Sequence, residues 1–535
     1  MTTLATEPVP TVTLKIDGHT ITVPKGTNLL EAAKTIGVQV PFFCYHPGLS
    51  APAVCRQCLV EVKGIGKPIP ACYTPVADNM EVLTQSPRAL EVRAQMLEFT
   101  LVNHPVDCPI CDKAGECTLQ KLYYEFDGAH SRVDYDKVHK PKVVDLGPTV
   151  VLDVERCISC TRCIRVCDEV AHSHQLEMSQ RGDRTQISTA PGHQLDNAYS
   201  LNTVDVCPVG ALTSKDFRFA MRAWELNTTN SICAGCATGC NIEVHHAHEQ
   251  IYRLVPRENP AVNKFWMCDE GRVTYKEVKT RRVAGARLNG EPAPVDKAIN
   301  FAAERIAALK GQSGNLDLMG VVLNAQATNE DNWLLMRAAT ALGVQHVYLA
   351  GRPPRPDRAD DILMHADVNP NTTGVRFIQA AAGGKGKSTT QLSMDLASGS
   401  LKALWMLGDH VDLDEEAQEA LAKLDLVVYQ SPHENFLTDR VNVLLPASSW
   451  AEVDGTFTNA KGMVQRIRRT VEAPGDARPH HELVQLLARK LGVVIDYPNV
   501  RSLFHQMKQA VPEFATAEFG RELPVLQLRF AGSRG

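Results

Sequence analysis

Apolar residues recur along this chain with two periods, and the places where the period changes outline its elements. Residues 11–23, TVTLKIDGHTITV, alternate apolar and polar around Asp17 and Gly18, which predicts a two-stranded hairpin with a tight turn. NLLEAAKTIG follows, with Asn28 as helix cap, Glu31 three residues on and Gly37 as stop. From Ser86 the period lengthens: SPRALEVRAQMLEFTLVNH places Leu90, Met96, Leu97 and Leu101 on a helical repeat, with Pro87 in the first turn. Further on, NLDLMGVVLNAQATNEDNWLLMRAATALGVQHVYLAG reads as strand, capped helix and strand, and LKALWMLGDHVDLDEEAQEALAKLDLVVYQS repeats the alternation. That repetition predicts a doubly wound α/β layer. Residues 127 to 150, rich in charge and closing on LGPTV, read as a linker.

At 535 residues the chain exceeds what one core can fill and predicts roughly three to five domains. Its longest apolar runs, such as LKALWML and VNVLLPAS, are strand-length and fall well short of the roughly 20 residues that span a bilayer. The opening MTTLATEPVP has neither a basic region nor an apolar stretch, so no signal peptide is expected and a cytoplasmic location is. With 56 Lys and Arg against 61 Asp and Glu, nothing favours nucleic acid as a partner.

Cysteine changes the picture. All 16 lie between Cys44 and Cys268, a density that in a reducing compartment argues for metal binding over disulfides. Spacing sorts them into four groups: Cys44, Cys55, Cys58 and Cys72; Cys108, Cys111 and Cys117; Cys157, Cys160, Cys163 and Cys167 with a distant Cys207; and Cys233, Cys236, Cys240 and Cys268. The first and last are complete fours, whereas the middle two hold three and five.

The five are resolved by their spacing. CISCTRCIRVC carries the run of two-cluster ferredoxins, in which three cysteines hold one cluster and the fourth reaches to the other. A remote Cys-Pro, here Cys207-Pro208, completes the first cluster. The remaining cysteines of the second run would fall at 197, 200 and 203, which are Asn197, Ser200 and Thr203. Cys157, Cys160, Cys163 and Cys207 therefore form one 4Fe-4S site, and Cys167 is left over. Two candidates can complete the group of three: the spare Cys167, or His104, four residues before Cys108. The missing ligand favours His104, because a neutral imidazole substitutes for thiolate at iron. Zinc is the alternative occupant of any isolated Cys-x2-Cys pair, but it gives no reason for ferredoxin-type spacing.

The order of these motifs resembles the family of large iron-sulfur subunits in the peripheral arm of respiratory complex I, the NADH-quinone oxidoreductase. VPFFCYHPGLSAPAVCRQCLVEV is similar to the family's 2Fe-2S segment, NHPVDCPICDKAGECTLQ to its 4Fe-4S segment with one histidine and three cysteines, and RCISCTRCIRVC with VCPVGAL to its second 4Fe-4S site. SICAGCATGCNIEV with WMCDEGR resembles the 4Fe-4S motif that opens molybdopterin oxidoreductases, and LLPASSWAEVDGTFTNAKGMVQRIRR resembles a stretch that follows their central sheet.

The resemblance implies an α+β and α/β multidomain chain: a 2Fe-2S ferredoxin-like (β-grasp) domain at 1–90, a 4Fe-4S domain with one histidine and three cysteines at 91–130, a 4Fe-4S ferredoxin-like domain at 145–220, a molybdopterin-oxidoreductase-type 4Fe-4S domain at 226–282, and a shortened molybdopterin-oxidoreductase-like domain at 283–535. It implies one 2Fe-2S cluster on Cys44, Cys55, Cys58 and Cys72. It implies three 4Fe-4S clusters, on His104, Cys108, Cys111 and Cys117; on Cys157, Cys160, Cys163 and Cys207; and on Cys233, Cys236, Cys240 and Cys268. Molybdopterin is not expected: no cysteine follows Cys268, and cofactor-bearing relatives continue beyond the point matching residue 535.

The implied function is electron relay within a proton-translocating NADH:quinone oxidoreductase, with no side chain acting as acid, base or nucleophile. Asp360 with Asp361 and Glu415 with Glu416 then read as solvated surface. GGKGK at 383–387 lacks the spacing of a dinucleotide fingerprint, so NADH is expected to bind a partner. The implied partners are a flavin subunit that binds NADH and a ferredoxin-like subunit. The implied location is peripheral, on the inner face of the cell membrane, through the complex. The alternative is a molybdenum or tungsten formate dehydrogenase catalytic subunit with the same ferredoxin-like front end.

Overall fold

The computed structural model describes residues 9–126, 131–313, 316–383, 386–520 and 529–530. The opening MTTLATEP, residues 127–130 of the segment read as a linker, and two residues of GGKGK lie outside the described residues. The chain divides into two compact units, Met1–Leu226 in the first and Asn227–Glu522 in the second.

The first unit opens with the expected hairpin. Strands Thr11–Ile16 and His19–Pro24 pair antiparallel with Ile16 opposite His19, and Asp17 (φ 48°) and Gly18 (φ 85°) make the left-handed turn that a two-residue hairpin loop requires. Asp17 does more than turn the chain, because its carboxylate accepts from the Thr84 backbone N–H at 2.7 Å. A five-stranded sheet results, in the order His19–Pro24, Thr11–Ile16, Glu81–Leu83, Leu59–Val62, Ile69–Pro70. Alternation along Thr11–Ile16 buries Val12, Leu14 and Ile16 against Leu29, Leu30, Ala32 and Ala33 of helix Leu29–Lys34. Asn28 caps that helix by accepting from Glu31 N at 2.9 Å, as its sequence predicts.

Helix Pro87–Leu101 also starts where expected, with Ser86 capping Ala89 N. Its inner face differs from the reading by period: Leu97 is buried, but so are Ala89 and Arg93, while Leu90, Met96 and Leu101 are only half-buried. The charged segment after it is pinned. Lys137 Nζ donates at 2.8 Å to the carbonyls of both Leu101 and Val102, closing the helix C-terminus with a cation, and Val138 N donates to Asn103 at 3.1 Å. The rest of the unit is short strands and turns around one apolar cluster, which includes Phe43, Leu97, Leu119, Leu122, Val150 and Leu212.

In the second unit, a three-stranded antiparallel sheet (Asn227–Ile232, Asn241–Ala247, Gln250–Pro256) precedes a seven-stranded one. Five neighbours of the larger sheet are parallel, in the order His346–Ala350, Met319–Asn324, Ala403–Leu407, Leu426–Ser431, Val443–Pro446. The antiparallel strands Ala286–Leu288 and Glu291–Ala293 extend it. Each parallel strand is apolar on both faces, as burial from two sides demands. Val321 and Trp405 pack into one core and Val322 and Met406 into the other. LLP of the stretch expected to follow the sheet is therefore part of it, and only Gly455–Thr458 and Val464–Ile467 form a separate hairpin.

A buried polar network ties that hairpin to helix Asn329–Leu342. Glu330 accepts from Thr456 N at 2.8 Å and Thr456 Oγ1 at 2.9 Å, while Asp331 accepts from His481 N at 2.8 Å and contacts its Nδ1 at 2.9 Å. Burial pushes Glu330 up to about 7. The folded state thus holds a proton that the unfolded chain releases near its ordinary value, so this contribution is complete at low pH and is lost as pH rises toward 7. Glu330→Gln removes the dependence. Thermal melting of the second unit in the full chain is expected to favour the variant, relative to wild type, more at pH 8 than at pH 5, by roughly 2 kcal/mol.

Candidate metal centres

In the first group, the loop between helix Leu29–Lys34 and strand Leu59–Val62 carries three of the cysteines, and Cys72 follows strand Ile69–Pro70. Left-handed residues at Ala53 (φ 53°) and Arg56 (φ 53°) bend the loop so that Cys44 and Cys58 point inward, both buried. Cys55 Sγ lies 3.4 Å from the backbone N–H groups of Phe43 and Cys44. The neighbouring thiols Cys55 and Cys72 draw Cys44 below its ordinary range, and Cys72 draws Cys58 below its own.

The second group hangs from the capped end of helix Pro87–Leu101. Among the described residues, His104 Nδ1 is buried without a hydrogen-bond partner, and burial lowers the imidazole to about 4, so the ring is neutral at physiological pH. A buried ring nitrogen without a donor or acceptor is costly unless something else takes its lone pair. Cys108 begins a 3-10 turn, Cys108–Ile110, and burial pushes Cys111 up and Cys117 to about 11. Arg222 clamps the turn by donating to Cys111 O at 2.9 Å and Pro109 O at 2.5 Å.

The third group lies beside the second. Thr118 N donates to Pro208 O at 2.9 Å, and a Cβ at Gly210 would stand 2.2 Å from Cys111 Sγ. The sulfur thus rests on bare backbone that only glycine provides. Left-handed Ser159 (φ 53°) and Thr161 (φ 62°) fold the run so that Cys157, Cys160 and Cys163 face Cys207 across a small cavity of about 20 Å³, walled by Leu152, Ile187, Val209 and Leu212. Burial raises Cys157 to about 11 and Cys160 to about 12.

Cys167 is not part of this wall. It lies fully buried on the turn Val166–Val170, and burial raises it to about 12. The three residues standing where a second set of cysteines would be have other bonds: Thr203 Oγ1 donates to Ser200 O at 2.7 Å, Ser200 Oγ meets Thr149 Oγ1 at 2.5 Å, and Asn197 donates to Gln175 at 2.7 Å.

The fourth group belongs to the second unit. Cys233, Cys236 and Cys240 follow strand Asn227–Ile232, and Cys268 caps the short helix Asp269–Arg272. All four are buried. Gly235 N lies 3.4 Å from Cys233 Sγ and Gly271 N lies 3.4 Å from Cys268 Sγ, and burial raises Cys233, Cys240 and Cys268.

Sequence reasoning missed the arginines. A buried guanidinium stands near each group: Arg93 by Cys58, Arg156 by Cys111, Arg162 by Cys160 and Cys207, and Arg358 by Cys233 and Cys268. Arginine next to cysteine in Arg156-Cys157 and Arg162-Cys163 was the available signal. The donor set fits iron-sulfur clusters: soft thiols and one neutral imidazole, dry walls, backbone N–H groups aimed at sulfur, and permanent cations beside the thiols. Raised thiol values mean that metal loading must release protons.

Comparison with known proteins agrees along the chain. Family models match at residues 10–87 (2Fe-2S iron-sulfur cluster binding domain), 93–132 (NADH-ubiquinone oxidoreductase-G iron-sulfur binding region), 147–213 (NADH-quinone oxidoreductase subunit 3, ferredoxin-like domain), 226–280 (molybdopterin oxidoreductase Fe4S4 domain) and 274–490 (molybdopterin oxidoreductase). The chain thus combines a 2Fe-2S ferredoxin-like domain, 4Fe-4S domains and a molybdopterin-oxidoreductase domain, the fold class its motifs imply.

The G subunit of the NADH-quinone oxidoreductase of Streptomyces coelicolor is 35% identical over 397 residues, 72% of this chain and 46% of that protein. The NADH-ubiquinone oxidoreductase 75 kDa subunit of Reclinomonas americana is 36% identical over 67% of this chain and 53% of its own length. The mitochondrial NADH dehydrogenase [ubiquinone] iron-sulfur protein 1 of Solanum tuberosum is 30% identical over 94% of this chain and 84% of its own length. The chain spans about half the length of the first two relatives and most of the third. It belongs to the family of NADH-quinone oxidoreductase G subunits, the large iron-sulfur subunits of respiratory complex I.

Proposed function

We propose that this chain relays electrons in an NADH:quinone oxidoreductase through one 2Fe-2S and three 4Fe-4S clusters. The observation that carries the reading is the adjacency of thiol groups in the first unit. The Cys111 sulfur rests on Gly210, three residues from Cys207, and Phe43, beside Cys44, shares one core with Cys163 and Cys207. When bound, such clusters take up and release one electron at a time, at potentials within roughly −700 to +450 mV. The protein's own part is to hold each set of ligands, exclude water and fix the surrounding charge.

His104, Cys108, Cys111 and Cys117 hold the second cluster, with the buried, proton-free imidazole as fourth ligand. Cys44, Cys55, Cys58 and Cys72 hold the 2Fe-2S centre, in keeping with four thiols that act on one another. Cys157, Cys160, Cys163 and Cys207 hold the third, and Cys233, Cys236, Cys240 and Cys268 the fourth. The modules run as 1–90, 91–130, 145–220, 226–282 and 283–535, the last acting as scaffold without molybdenum. Electrons arrive from a flavin subunit that oxidises NADH and leave through a ferredoxin-like subunit toward quinone. Among the described residues no helix is long and apolar enough to cross a membrane, and the chain reaches the inner face of the membrane through those partners.

Metal analysis of anaerobically purified chain tests the stoichiometry. About fourteen iron atoms per chain are expected, two from the smaller cluster and twelve from the larger ones, with no stoichiometric molybdenum or tungsten. A reproducible value near ten would leave the group at Cys233 empty, and zinc in place of iron would contradict the relay.

Paramagnetic resonance tests the fourth ligand. His104→Cys is expected to keep a cluster at a lower potential, since thiolate adds a negative charge that imidazole lacks. Cys167→Ser is expected to leave every cluster spectrum unchanged while costing roughly 1–2 kcal/mol of stability for a buried hydroxyl. Loss of the second cluster in the Cys167 variant, with an unchanged spectrum in the His104 variant, would reverse the assignment.

A further inference from the structure

Two buried cations in the first unit have backbone carbonyls, the Thr161 hydroxyl (3.4 Å from Arg165 Nε) and the Phe42 ring (5.7 Å from Arg162 Cζ) as partners and, among the described residues, no carboxylate in ion-pair contact. Arg162 and Arg165 are each 8% exposed and lie in the run that carries Cys160 and Cys163. Arg162 donates from Nη1 to Val206 O at 3.0 Å and from Nη2 to Tyr45 O. Arg165 Nη2 donates to Cys44 O at 2.5 Å and to Cys160 O at 3.4 Å, and its Nη1 donates to Ser50 O. Each guanidinium therefore bridges the two groups: Arg162 joins Tyr45 O to Val206 O, and Arg165 joins Cys44 O and Ser50 O to Cys160 O.

A cation taken out of water without an anion opposes folding, and carbonyl dipoles offset only part of that cost. Burial lowers Arg162 below its ordinary value, and the thiols of Cys160, Cys207, Cys44 and Cys55, from both groups, oppose that shift; the His46 imidazole also lies near both arginines. Among the described residues, Arg162 Nε is buried with no hydrogen-bond partner, so its donors are incompletely satisfied by hydrogen bonds even with the Phe42 ring beside the guanidinium. An anionic centre on each side would supply the missing charge.

We propose that Arg162 and Arg165 are a shared counter-charge for the clusters at the Cys44 and Cys157 groups, holding the two cysteine loops together and raising both reduction potentials. This rests on the relay reading above, since it takes both groups to hold clusters. An electron added at either centre increases negative charge beside the same two guanidiniums, in surroundings where charges act strongly on one another. Arginine remains protonated at any working pH, so the compensation does not depend on pH. The two are positioning residues: they act on the centres through charge and loop geometry.

The test is a redox titration of the full chain with reconstituted clusters, followed by paramagnetic resonance, in wild type, Arg162→Gln, Arg165→Gln and Arg162→Lys. Each glutamine variant is expected to lower both midpoint potentials and leave those of the other two clusters in place, and lysine at 162 is expected to restore most of the loss. Unchanged potentials in iron-loaded glutamine variants, or a shift in only one of the pair, would overturn the shared counter-charge and leave the relay standing. If the glutamine variants fail to load these two sites, lysine decides: recovery of both signals supports a role for charge, and failure with lysine as well overturns it. A wild-type chain that binds no iron at either group would overturn the relay reading and this inference together.

Discussion

Burying sixteen cysteines, wholly or in part, in four close groups is the constraint on which the rest of this molecule depends. A cluster held by four cysteines is anionic, and an anion in a dry interior is stable only with charge or dipoles beside it. The chain answers with three recurring devices. Backbone N–H groups sit about 3.4 Å from Cys55, Cys157, Cys233 and Cys268 sulfurs, left-handed residues fold short runs of chain so that several thiols face one space, and a buried arginine stands near each group.

The surrounding elements serve those loops. The hairpin, its helix and Leu59–Val62 make a small sheet whose connecting loop carries Cys44, Cys55 and Cys58. Helix Pro87–Leu101 is closed by Lys137, so the chain leaves it in a fixed direction toward His104. In the second unit, the parallel sheet is packed on both faces and held to its hairpin by the Glu330 and Asp331 network. That rigidity suits a scaffold, and the fourth cysteine group lies in the same unit.

Much of this was legible in the sequence, for identifiable reasons. Period-two and period-3.6 patterns located the hairpin, the capped helices and the parallel strands, because each is set by local residues: Asn28 and Ser86 cap as their spacing predicts, and the helix read as capped after Met319–Asn324 starts on Thr328. Cysteine spacing separated Cys207 from Cys167 because ferredoxin-type runs impose geometry over a few residues. What stayed hidden depends on contacts far apart in sequence. Arg93 occupies the inner face of a helix whose apolar repeat gave no hint of it, and its Nε donates to Leu59 O at 2.9 Å. The charged segment after residue 130 read as a linker because its anchors, Lys137 to Leu101 and Val138 to Asn103, join residues 35 or more positions apart. Gly210 under Cys111 is equally invisible without the fold.

The most direct measurement of the central claim is anomalous X-ray scattering from crystals of anaerobically prepared chain, recorded at the iron and zinc edges. The account predicts iron peaks at all four cysteine groups, with the peak at Cys108, Cys111 and Cys117 placed against His104 and none at Cys167. Zinc peaks at these positions, or an iron peak joined to Cys167 instead of His104, would contradict it.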